Sequence, residues 1–123
     1  MELLKEYTEK DLGISEEKIS QTIKYKVRRA ARAVVLDQDN KVAIVWNDKG
    51  QHHKIPGGKI EEWEDIEMAL KREIKEETGC DSKIMGEVGL IIEYKNQIGE
   101  LQLSYAYWAR VEGEKGLPEF TKE

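Results

Sequence analysis

Two hydrophobic periods alternate along this 123-residue chain, and together they predict its elements. From Arg28, "RRAARAVVLD" and "KVAIVW" are β-branched runs on either side of "QDN", the pattern of a hairpin. Farther on, "SKIMGEVGLIIEYK" and "LQLSYAYWARVEG" predict two long strands around the turn "NQIGE". In the second of these, Leu101, Leu103, Tyr105, Tyr107 and Val111 alternate with Gln102, Ser104 and Arg110, so one face is the more apolar. Between the two pairs the period changes. Ile66, Ala69, Leu70 and Ile74 recur at helical spacing, Asp65 is placed to cap the start, and Gly79 to terminate the end. A loop rich in Gly and Pro, "NDKGQHHKIPGGK", leads into this helix. The order β-β-loop-α-β-β implies a mixed sheet with a helix packed on it, an α+β arrangement. Residues 1–27 are weakly patterned and read as an extended or short-helical leader to a domain spanning 28–123. Ser15 is a possible cap there, although Lys18 stands where a capping box has Glu. The tail "EGEKGLPEFTKE" reads as loop.

The helix carries an anomaly in "KREIKEETG", Lys71 to Gly79. With Glu73 set at zero, Glu77 lies at about 40° and Glu76 at about −60°, while Ile66, Leu70 and Ile74 fall at about 20°, 60° and 100°. Two carboxylates thus share the side of the apolar stripe. Hard divalent ions take oxygen ligands, commonly one or two carboxylates plus substrate phosphates. Glu73, Glu76 and Glu77 converge within about 100° of one helix face, close enough to share ions. Left alone, such like charges repel. Arg72 offers a cation able to grip a carboxylate bidentately, and the glycines before the helix let the backbone approach a phosphate.

Composition narrows the choice of chemistry. Lys and Arg number 20 against 25 Asp and Glu, a net charge of −5, which argues against a general nucleic-acid-binding surface. An anionic substrate must therefore be met locally, by a metal or a few cations. The single cysteine, Cys80, forms no intramolecular disulfide, and there is no cysteine cluster for zinc. No apolar run reaches the roughly 20 residues of a membrane span, and the charged start does not read as a signal peptide. The expected setting is the cytoplasm.

Gly58, Glu64, Arg72, Glu73, Ile74, Glu76, Glu77, Gly79 and Cys80 spell G-x5-E-x7-RE-U-x-EE-x-G-U. This resembles the signature box of the Nudix hydrolase family, with Cys80 where the family usually has a larger aliphatic residue. The resemblance implies an α/β/α sandwich around a mixed sheet and a hydrolase that cleaves a nucleoside diphosphate linked to a further group, X, with Mg2+ or Mn2+. It implies Glu76 and Glu77 as principal metal ligands, Glu73 as ligand or general base, and Arg72 orienting Glu73 or Glu76. Glu64 would be an auxiliary ligand, and Gly58 would supply a carbonyl or the loop bend. In some members the base lies outside the box, and Glu93 and Glu100 are the candidates here. Family domains commonly continue through another strand and a closing helix, whereas this chain ends at "LPEFTKE"; that layer is expected to be trimmed away or supplied by a partner subunit, as in a homodimer, or else one sheet face is left exposed.

The identity of X is set outside the box. Gly57 and Lys59 flank Gly58 as in the MutT-like branch, which acts on oxidised purine nucleoside triphosphates, and Lys59 is placed to meet a phosphate. Trp46, Tyr94, Tyr105, Tyr107 and Trp108 offer faces for a base to stack on, Trp46 and Tyr105 foremost, although aromatics on strands are more often core. His52, His53, Arg28, Arg29 and Arg32 read first as exposed or screened groups, with a phosphate contact as the alternative. The partner expected is a small-molecule nucleotide, with neither a nucleic-acid polymer nor a membrane. Two other readings are a nucleotide-sensing Nudix module without catalysis and an isomerase of isoprenoid diphosphates; the complete carboxylate set speaks against the first, and the lack of an obvious acid and base outside the box against the second.

Overall fold

The computed structural model describes residues 1–7 and 25–113. The possible Ser15 cap and the expected C-terminal loop lie outside these residues. Eight elements follow in chain order: β1 (Leu3–Tyr7), β2 (Lys26–Leu36), β3 (Val45–Asn47), β4 (His52–Lys54), β5 (Gly57–Lys59), α1 (Ile66–Thr78), β6 (Asp81–Lys95) and β7 (Glu100–Glu112).

Five strands form one mixed sheet in the order β1-β6-β7-β2-β5. The long pair β6 and β7 is antiparallel around a 3-10 turn at Asn96–Ile98, as their alternation predicted. β7 then runs parallel to β2, and β5 closes the edge antiparallel to β2. The N-terminal segment expected to be a leader contributes a strand of its own. β1 lies parallel to β6 at the other edge, with Leu3 opposite Leu90 and Tyr7 opposite Glu93.

The hairpin expected across "QDN" is present only as a turn. Asp37 Oδ1 accepts from the amides of Asp39 and Lys41, and Asn40 takes φ +59° to bring the chain round. Pairing with β2 is limited beyond it to the bridge between Leu36 and Val42 and the bond from the Ala43 amide to the Val35 carbonyl. The chain then leaves β2, and β3 pairs instead with β4 in a separate two-stranded ribbon.

The side chain of Asp65 accepts from the Met68 amide at 2.7 Å, and Gly79 ends α1 at φ +74°, donating its amide to the Lys75 carbonyl. The helix lies on the face of the sheet that carries Ala31, Ala33 and Val35 of β2 and Ala109 of β7, and buries Ala69, Leu70 and Ile74 completely there. Small residues on β2 let the helix axis approach closely, and the apolar area removed from water is the main stabilising term. The mixed-sheet α+β class is as the sequence implied. Among the described residues the sandwich has two layers, helix on sheet; the further strand and closing helix of the resemblance have no counterpart in them.

Candidate active site

The anomalous acids sit where α1 passes beneath β5. Glu73, with only 2% of its surface exposed, lies directly under Gly58: a Cβ built on Gly58 would stand 2.6 Å from Glu73 Oε1. The missing side chain is what admits the carboxylate. Gly57 is required for another reason. Its φ of +153° disfavours a side chain, and a Cβ there would meet the Ala31 carbonyl oxygen at 2.4 Å. The loop can therefore lie flat against β2 only as glycine. Its amide donates to Glu77 Oε2 at 3.1 Å.

Arg72 organises the acids. Its Nε and Nη2 grip Glu64 at 2.6 and 2.8 Å, its Nη1 donates to Glu73 Oε1 at 2.9 Å and Glu76 Oε2 at 3.3 Å, and its Nη2 also reaches the Lys59 carbonyl at 3.2 Å. The planar guanidinium thus joins the helix, the loop before it and β5. Glu64 is buried, and its Oε1 also accepts from the Glu61 amide at 3.0 Å. The bond from Arg72 holds the Glu64 carboxyl below its ordinary pKa; burial opposes this, and the Glu61 amide assists. Arg72 is pushed in the opposite direction, above the usual range, chiefly by Glu64. A further cation was not singled out from sequence. Lys54 Nζ lies 3.3 Å from Glu77 Oε1 and 3.4 Å from the Gly57 carbonyl. A lysine 23 positions from its carboxylate leaves no periodic signal to find.

Arg72 thus links Glu64, Glu73 and Glu76 to the Lys59 carbonyl, while Glu73 lies under Gly58 and Glu77 accepts from the Gly57 amide. The donor set is entirely oxygen, which fits a hard divalent ion. No three of the His, Cys, Asp and Glu side chains among the described residues are gathered around one point; cations hold the carboxylates instead.

The foremost stacking candidates sit on β3 and β7. Trp46 is exposed on β3, edge-on to His53, with its indole N–H donated to Asp48. Tyr105 projects to the helix side of the sheet, packed against the core, with the Arg29 guanidinium 5.2 Å from its ring centre. Glu93 sits on β6 opposite Gln102. Glu100 pairs with Lys95 at 3.6 Å and borders a shallow depression that also includes Arg28 and Lys59. Beside the glycine loop opens a cleft of about 530 Å³ whose lining includes Arg28, Arg32, His52 and Lys54 together with Gly57 and Gly58.

No described helix is long and apolar enough to cross a membrane. Comparison with curated proteins gives no match. Among solved structures, the chain resembles a Nudix hydrolase from Nitrosomonas europaea at 24% identity and TM-score 0.63, over 75% of this chain and 66% of that one. It resembles the MutT protein of Methanosarcina mazei Go1 at 15% identity and TM-score 0.64, over 83% and 77% of the two chains. An Ap4A hydrolase from C. elegans is similar at 18% identity and TM-score 0.58, over 77% and 76%. The chain spans just under two thirds of the Nitrosomonas europaea protein. These likenesses concern the fold. The family profile described as NUDIX domain matches residues 26–122, from the first residue of β2 past the last of β7. The chain belongs to the Nudix family.

Proposed function

We propose that this protein hydrolyses a diphosphate bond in a nucleoside diphosphate linked to a further group, by attack of water on phosphorus, with Mg2+ or Mn2+ as cofactor. The observation that carries this reading is the contact of Glu73 and Glu77, from one helix, with a glycine loop whose missing Cβ admits the Glu73 carboxylate, with Glu76 joined to Glu73 through Arg72. Glu76 and Glu77, each half-buried, are the principal ligands in this reading, and the Gly58 carbonyl is a further candidate ligand. A divalent ion held there would supply charge neutralisation for the diphosphate and polarisation of the attacking water.

The remaining work falls to the chain's own groups. Glu73, buried under Gly58, is held by Arg72 through Oε1, and in this reading its carboxylate binds the ion or takes a proton from water. Glu64, buried with both oxygens bonded to Arg72, has the part of positioning Arg72 in this reading. Lys54 keeps Glu77 oriented toward the loop.

The test is release of phosphate or pyrophosphate from a panel of nucleoside triphosphates, oxidised purine nucleotides, nucleotide sugars and dinucleoside polyphosphates, with each metal in turn. Turnover is expected on part of the panel and is abolished in Glu76→Gln. Unchanged turnover in that variant overturns the metal assignment. Tight nucleotide binding with no turnover anywhere favours nucleotide sensing instead.

A further inference from the structure

The cleft beside the glycine loop has a charge opposite to that of the whole protein. Its lining includes two arginines, a lysine and a histidine, and among the described residues no Asp or Glu, in a chain of net charge −5. Lys54 is paired with Glu77, so the surplus is carried by Arg28 and Arg32. Both are half-buried on β2, and they project from the face of the sheet opposite Ala31, Ala33 and Val35. Arg32 stands directly across from Gly57. Neither arginine is ion-paired to a carboxylate among the described residues.

How Arg28 is held decides what it is for. Its Nη1 donates to Gln102 Oε1 at 2.9 Å, and Lys95 Nζ donates to the same oxygen at 3.0 Å. Gln102 is buried, with 4% of its surface exposed, and its amide N–H donates to Ser104 Oγ. A carboxylate at this position would hold the guanidinium equally well but would cancel its charge. The amide orients the group and leaves the charge available. Half-buried arginines held in this way suit bidentate contact with phosphate, and partial desolvation strengthens that contact.

Building on the hydrolase reading above, we infer that Arg28 and Arg32 make this cleft selective for substrates whose X is itself phosphate, nucleoside tri- or polyphosphates, over those in which X is an uncharged sugar. Gln102 is the positioning residue for Arg28. Each arginine contact is worth about tenfold in apparent affinity for the additional phosphate, the usual scale for a charge-assisted hydrogen bond.

The experiment compares substrates that share a nucleoside: UTP with UDP-glucose, and ATP with ADP-ribose, at low and moderate NaCl. The triphosphate of each pair is expected to have the higher kcat/KM, with the advantage shrinking as salt rises. Arg28→Gln and Arg32→Gln should each cut that advantage about tenfold, through KM more than kcat. Gln102→Glu, which keeps the shape and both cations, should reproduce the effect of Arg28→Gln, whereas a merely structural role for Gln102 would not change the ratio within a pair. Calorimetry supplies a readout independent of turnover: Glu76→Gln protein is titrated with inorganic tripolyphosphate and with pyrophosphate in the same Mg2+ buffer. Tighter binding of tripolyphosphate, lost when Arg28→Gln and Arg32→Gln are added, supports the assignment even where every substrate proves inert and the hydrolase reading falls. Equal binding of the two anions, or a preference that survives both arginine substitutions, overturns it.

Discussion

Replacing Arg72 by alanine tests whether its carboxylate contacts hold the site together. The Glu64 side chain is 1% exposed and that of Glu73 3%, against 25% for Arg72. Removing the cation takes the Arg72 ion pair from two buried carboxylates, Glu64 and Glu73, and its contact from a third, Glu76. Breaking a fully buried pair costs about 3–5 kcal/mol; with the arginine partly solvated, about 2–4 kcal/mol is expected. For a domain of this size that corresponds to a fall in Tm of roughly 8–20 °C. The assay is thermal unfolding in EDTA at pH 7, followed down to pH 5. The sign of the pH effect follows from which state binds the proton more tightly. In the wild type, Glu64 is held below its ordinary value of 4.5, so its contribution is complete above that pH and is lost only as the pH falls through the depressed pKa. In Arg72→Ala the lowering partner is gone and burial pushes the same carboxyl up, so acidification toward pH 5 protonates it and relieves the variant. The gap between the two proteins should therefore narrow as pH falls. Glu64→Gln with Arg72→Ala should cost less than the sum of the single changes, because the residues share one interaction. A fall in Tm under about 3 °C, or a gap that widens toward pH 5, refutes the reasoning.

Other changes separate the site from its scaffold. Gly58→Ala introduces a Cβ 2.6 Å from Glu73 Oε1, so turnover should fall by at least about tenfold while circular dichroism keeps the helix signal; unaltered turnover would mean Glu73 can move without consequence. Asp65→Ala removes the bond to the Met68 amide and should cost about 1 kcal/mol by urea denaturation with little effect on KM. Mg2+ at millimolar concentration should raise the Tm of the wild type, and the rise should shrink in Glu77→Gln; an equal rise in both places the ion elsewhere.

The sequence made α1 and its acids legible because everything they need lies close together in the chain. A 3.6-residue period, a capping Asp65, a terminating Gly79 and carboxylates within one turn can be read in a single window. Gly58 is 15 residues from Glu73, yet the loop and helix between them form one continuous segment. Pairings that depend on distant strands left no such trace. Leu3–Tyr7 gives no sign of lying beside residues 90–93, and the parallel match of β2 to β7 joins positions about 74 apart. Separation in the chain likewise hid Lys54 from Glu77, 23 positions away, and Gln102 from Arg28, 74 positions away.

Tyr105 shows how an ambiguity in sequence is settled by the strand's own alternation. Its ring was a candidate for base stacking because it is aromatic, but it belongs to the series with Tyr107, Ala109 and Val111, the face that packs toward α1. Gln102 and Ser104, the polar members of the other series, are both buried, and there the apolar-in, polar-out rule fails. A sheet face that buries an amide and holds arginines is costly unless each polar group finds a partner or a ligand. Gln102 finds Arg28, Lys95 and Ser104. Arg32 has no such partner among the described residues, and it lines the cleft beside the glycine loop, where an anion would complete the pairing on this face.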